Sequence, residues 1–142
     1  MNLKSTLLLF PFITLLAFSL FAQNSTQEII DEFFTKYEKS PMMGIDFIFE
    51  TNKWMIENNS DGISNVKTQL SNVLNQIGSY QGFDQLAICT LGDNYKVINY
   101  MVRYERQPLR FIFIFYKPKN TWQIQNFQFN DSFEDLIISN NN

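Results

Sequence analysis

The stretch Arg110-Phe111-Ile112-Phe113-Ile114-Phe115-Tyr116 constrains the fold more than any other part of the chain. A strand with one face in water alternates apolar and polar residues. This one is apolar at every position after Arg110 and needs cover on both faces. Helices of a short chain can supply one layer. The other face then calls for a second layer, a partner subunit or a ligand, because an unpaired strand this apolar is an aggregation hazard.

How much chain remains to provide that cover depends on the N-terminus. Lys4 supplies a positive start, Leu7 to Leu20 an apolar run, and Phe21-Ala22 before Gln23 a cleavage site. This pattern predicts a secretory signal over residues 1–22, removed from the mature protein. Leu20 sits where a small residue is preferred, so the cut is placed to within a few residues. The alternative, an uncleaved anchor, is disfavoured because the apolar run is shorter than the ~20 residues a spanning helix needs. No cysteine follows the run to carry a lipid. The mature chain is expected to be soluble and exported, periplasmic or extracellular, with no membrane association after cleavage.

Residues 23–142, about 120 in number, make one domain and are too few for two. With 14 acidic and 11 basic residues the formal net charge is −3, which gives no electrostatic footprint for nucleic acid. Cys89 is the single cysteine, so no intrachain disulfide can form even where the compartment permits one. Stability must come from packing, and after Phe10, Phe12, Phe18 and Phe21 leave with the signal, 11 of the 15 phenylalanines remain beside 6 tyrosines and 2 tryptophans to supply it.

Ser25-Thr26-Gln27-Glu28 has the spacing of a capping box and predicts a helix from about Thr26 to Lys39. Ile29, Ile30, Phe33, Phe34 and Tyr37 share one face of it, and Ser40-Pro41 ends it. A second helix is expected over Met42 to Trp54, with Met43, Phe47 and Trp54 inward. After the polar loop Asn58 to Gly62, a third helix carries Ile63, Val66, Leu70, Val73, Leu74 and Ile77 at helical spacing, with Gly78 as its C-terminal cap.

Beyond Gly78 the pattern becomes extended, near Phe83 to Thr90, Tyr95 to Tyr104, Leu109 to Tyr116 and Trp122 to Phe129. Turn residues separate these segments, and such short connections imply an antiparallel meander. Trp122 and Ile124 differ in parity from Phe127 and Phe129, so a bulge near Gln125-Asn126 lets all four face the core. A short helix is expected within Asp131 to Ile138 and a frayed end over Asn140 to Asn142. Helices followed by strands describe an α+β domain with N-terminal helices packed on a curved antiparallel four-stranded sheet.

Tyr104-Glu105-Arg106-Gln107-Pro108-Leu109-Arg110-Phe111, then Phe115-Tyr116-Lys117-Pro118 and Trp122, together with Leu91-Gly92 and Thr51-Asn52-Lys53-Trp54, resemble a family of small secreted bacterial proteins to which no function is assigned. Gln23 after Phe-Ala resembles the start of exported Bacteroidetes proteins. The element order is similar to the nuclear transport factor two-like, or cystatin-like, superfamily. That resemblance implies a cone of bent sheet around helices, often with a pocket and often dimeric through the sheet. Some members are isomerases and dehydratases using Asp, His and Tyr.

This chain contains no histidine. The usual neutral-pH base, the Ser-His and Cys-His pairs and most transition-metal sites go with it, and no metal or cofactor is expected. No glycine-rich phosphate loop is present, and Asn59-Ser60-Asp61-Gly62 lacks the later ligands of a calcium loop. Cys89 reads as a buried core thiol, with a reactive thiol as the alternative. Asp46 and Glu50, at i, i+4, read as a solvated face. A histidine-free isomerase or lyase built on Asp46 with Tyr100 or Tyr104 follows from the fold resemblance alone.

Arg103, Arg106 and Arg110 cluster around the Gln107-Pro108 turn. A hairpin centred between Arg106 and Gln107 sets Arg103 opposite Arg110, which is unfavourable unless neutralised by Glu105, by the acidic tail at Asp131, Glu134 and Asp135, or by a bound anion. The reading reached is an exported binding domain. It is either a subunit that self-associates through whichever of Ile112 and Phe113 lies on the outer sheet face, or a carrier of a small apolar or weakly anionic ligand.

Overall fold

The computed structural model describes residues 25–139. The expected signal segment and the Asn140 to Asn142 end lie outside them. Four helices come first, α1 (Thr26–Lys39), α2 (Pro41–Glu50), α3 (Lys53–Asn58) and α4 (Ser60–Ile77). Four strands follow, β1 (Tyr80–Leu91), β2 (Tyr95–Tyr104), β3 (Leu109–Tyr116) and β4 (Gln123–Asn130), then a short α5 (Glu134–Ser139). The strands form one antiparallel meander in the order β1-β2-β3-β4. This is an α+β fold.

The capping box at Ser25 is complete: the Glu28 amide donates to the Ser25 hydroxyl at 3.2 Å, and the Ser25 amide donates to the Glu28 carboxylate at 2.6 Å. It fixes the start of α1 and with it the face the helix buries. Phe33 packs edge-on against Phe113 at 5.0 Å and Phe111 at 6.3 Å, while Phe34 stacks on Phe83 at 3.8 Å. Interlocking rings fill the space between α1 and the sheet. Each buried ring contributes about 1.5–3 kcal/mol by leaving water.

The expected single second helix is two. Pro41 occupies the first turn of α2, and Asn52 starts α3 by accepting from the Met55 amide. The break rotates the inward face: Ile45, Ile48 and Phe49 are buried, Met43 and Trp54 are exposed, and Phe47 lies between. Asn52 also donates to the Ile124 carbonyl at 2.7 Å, and Thr51 accepts from the Ile124 amide at 2.9 Å. Those two bonds tie the helical layer to β4.

The β4 bulge lies where the parity change requires it. Ile114 pairs with Asn126 and Phe115 with Ile124, which leaves Gln125 extra. Ile124, Phe127 and Trp122 are buried and Phe129 packs against the core.

Three expectations are corrected. The β2–β3 register pairs Met101 with Arg110 and Val102 with Leu109, so Arg103 does not face Arg110. Phe113 is fully buried under α1, so only Ile112 of the interface pair lies on the outer face. Cys89 is exposed, because β1 is an edge strand and Cys89, paired with Val97, belongs to the outer side.

Candidate functional site

The outer face of the sheet follows from strand parity. Val97, Asn99, Met101 and Arg103 of β2 lie on it beside Arg110, Ile112 and Ile114 of β3. Gln128 and Asn126 of β4 are opposite Ile112 and Ile114. Ile112, Ile114, Val97 and Met101 are only half-buried. The apolar run of β3 therefore has full cover inside and partial cover outside.

Charges at the margins of this face are matched within the chain. Arg103 meets Asp84 of β1 at 2.9 Å and arches over Gly82, whose φ of +128° and missing Cβ leave room for the guanidinium. Arg110 is buried. Its Nε donates to Asn99 Oδ1 at 2.8 Å and its Nη1 to Asp135 Oδ1 at 2.7 Å and the Ser132 carbonyl at 3.3 Å. The Arg110 hydrogen bond holds the Asp135 carboxyl below its ordinary value. The segment entering α5 thus crosses the outer face at its Arg110 end.

The groups of the isomerase alternative are engaged separately. Asp46 on α2 accepts from Lys67 of α4 at 2.6 Å. Tyr100 donates to Gln85 at 3.0 Å, and the Tyr104 hydroxyl is bonded to that of Tyr37. Among the described residues no hydrogen bond joins Asp46 to either phenol. Burial pushes the Tyr37 and Tyr104 phenols far up, and the Tyr100 phenol up as well, so all three are protonated at neutral pH. None of the three is a base there.

Arg106 has a different setting from the other two arginines. Its amide donates to the Ile77 carbonyl at 3.0 Å and its Nη1 to the Gln76 carbonyl at 2.6 Å, which satisfies the last carbonyls of α4. Glu105 assists from the other side, accepting from the Ser79 amide, and that bond lowers its pKa. Below this lock lies a groove of about 540 Å³ floored by Val73, Ile77, Leu109 and Phe129. A second groove of about 320 Å³, floored by Val66 and Phe127, shares Phe129 and Asn130 with it. Residue spacing identifies Val73 and Ile77 only as core positions, and Gln76 and Phe129 carry no signal for a groove.

No helix of the described residues is long and apolar enough to cross a membrane, and no cluster of three or more His, Cys, Asp or Glu could hold a metal there. Comparison with protein-family models, with curated proteins and with solved structures gave no match.

Proposed function

We propose that this protein is an exported, non-enzymatic domain that acts by binding, and that its partner at the outer sheet face is a second copy of itself. The observation that carries this is the half-buried row Val97, Met101, Ile112 and Ile114, bounded by charges already paired within the chain. An apolar face whose margins are internally neutralised meets its own image without opposing like charges, as an isologous two-fold contact requires. The element order supports a nuclear transport factor two-like arrangement, and the Tyr104 to Phe111 stretch supports the resemblance to a secreted bacterial family. Sheet-to-sheet pairing fits the first of these.

Sedimentation of the mature domain tests the reading. The parent is expected to run as a dimer at micromolar concentration, and Ile112→Lys as a monomer with unchanged circular dichroism. A monomeric parent, or a dimer indifferent to Ile112→Lys, removes it. A second binding role, carriage of a small apolar or weakly anionic ligand, is supported by the groove below Arg106.

A further inference from the structure

The geometry points to a ligand class for that groove: a single-chain amphiphile with a singly charged carboxylate head, its aliphatic chain lying along α4 and β4 and its head on Arg106. The inference rests on the carrier reading of the groove and is independent of self-association.

The groove is made of the right parts in the right order. Val73, Ile77, Leu109 and Phe129 form an apolar floor, and the floor continues past Phe129 to Phe127 and Val66. The two grooves adjoin at Phe129 and Asn130 and follow one another along α4 and β4, an arrangement that suits a chain better than a ring system. Gln76, Gln107 and Asn130 on its rim are neutral.

Arg106 sets the head group. Among the described residues Arg103 and Arg110 each have a carboxylate partner within 4.0 Å, whereas Arg106 has none. Its bond to the Gln76 carbonyl fixes the guanidinium at the mouth and uses one of its five donors, so a fork remains for an acceptor with two oxygens. Asp131 lines the same groove. Glu105, whose carboxyl Arg106 helps to hold down, is spent on the Ser79 amide. With two carboxylates near one cation, the mouth admits at most a monoanion through the free guanidinium fork and disfavours a phosphate dianion.

Isothermal titration of the purified mature domain with dodecanoate, dodecanol, acetate and dodecyl phosphate tests this, with amide shift mapping by NMR. Saturable one-to-one binding of dodecanoate is expected, with shifts at Val73, Ile77 and Phe129. Acetate and dodecyl phosphate should bind at least about tenfold more weakly. Arg106→Gln should lose a similar factor while Arg103→Gln does not, and circular dichroism reports whether either variant has unfolded. Equal binding of dodecanol and dodecanoate overturns the head-group assignment and leaves the carrier reading standing. No saturable binding of either chain, or shifts confined to the outer sheet face, overturns both.

Discussion

The hydroxyls of Tyr37 on α1 and Tyr104 on β2 share a hydrogen bond of 2.5 Å inside the core, and that bond joins the first helix to the sheet across 67 residues of sequence. Tyr80 packs edge-on against both rings, at 5.7 Å and 6.2 Å. Two buried phenols are tolerable only because each satisfies the other. The pair therefore behaves as a unit.

Tyr37→Phe or Tyr104→Phe alone strands one buried hydroxyl and is expected to cost about 1–3 kcal/mol in urea unfolding. The double variant removes both polar groups and should cost clearly less than the two singles added together. Additive losses in the cycle would show that the two hydroxyls are not coupled.

The same pair gives a signed pH dependence. Both phenols have native pKa values raised above the ordinary 10.0, chiefly by burial. Below that pH both states keep both protons. Above it the unfolded chain releases protons that the native state retains, so stability falls as pH rises, by up to about 1.4 kcal/mol per pH unit for each phenol. Tyr37→Phe/Tyr104→Phe should flatten the alkaline limb of a stability-against-pH curve, and an unchanged slope would contradict the assignment.

Arg110 should matter more than its ion pair. Asp135 is largely exposed, whereas Asn99 is buried with its oxygen on Arg110 Nε. Arg110→Met leaves that amide oxygen without its donor and is expected to cost about 1–3 kcal/mol. It should also speed amide exchange in α5. Asp135→Asn should release α5 with little global effect. Because Arg110 depresses the Asp135 pKa, this contact is intact above the ordinary carboxyl range and fades as pH falls through the native value.

What the sequence revealed and what it hid divide along local and non-local lines. The Ser25 box, the start and end of α1, the strand order and the Gln125 bulge all follow from neighbours in the chain. The exposure of Cys89 depends on β1 being an edge, which only the assembled sheet decides. A hairpin centre misplaced by one residue separates the expected Arg103–Arg110 opposition from the observed Met101–Arg110 pair. Trp54 reads as an inward position of one second helix over Met42 to Trp54, yet Asn52 starts a new helix and turns it outward. The Arg106 groove is least legible, since its floor comes from α4, β3 and β4 together.

Gly78 tests the junction on which that groove depends. It ends α4 at a φ of +88°, a conformation in which a side chain is strained, and a Cβ there would come within 2.6 Å of Glu105 Oε2. The same carboxylate oxygen accepts from the Ser79 amide, so it cannot retreat without breaking that bond. Gly78→Ala is expected to cost about 1–3 kcal/mol, measured as a lowered urea midpoint with an unchanged slope. Glu105→Ala in the same chain removes the carboxylate clash but keeps the residue 105 Cβ, 2.9 Å from the added one, and leaves the φ strain, so it should recover part of the loss and no more. Full recovery would assign the whole cost to the Glu105 carboxylate, and no recovery would assign it to the backbone and the Cβ contact.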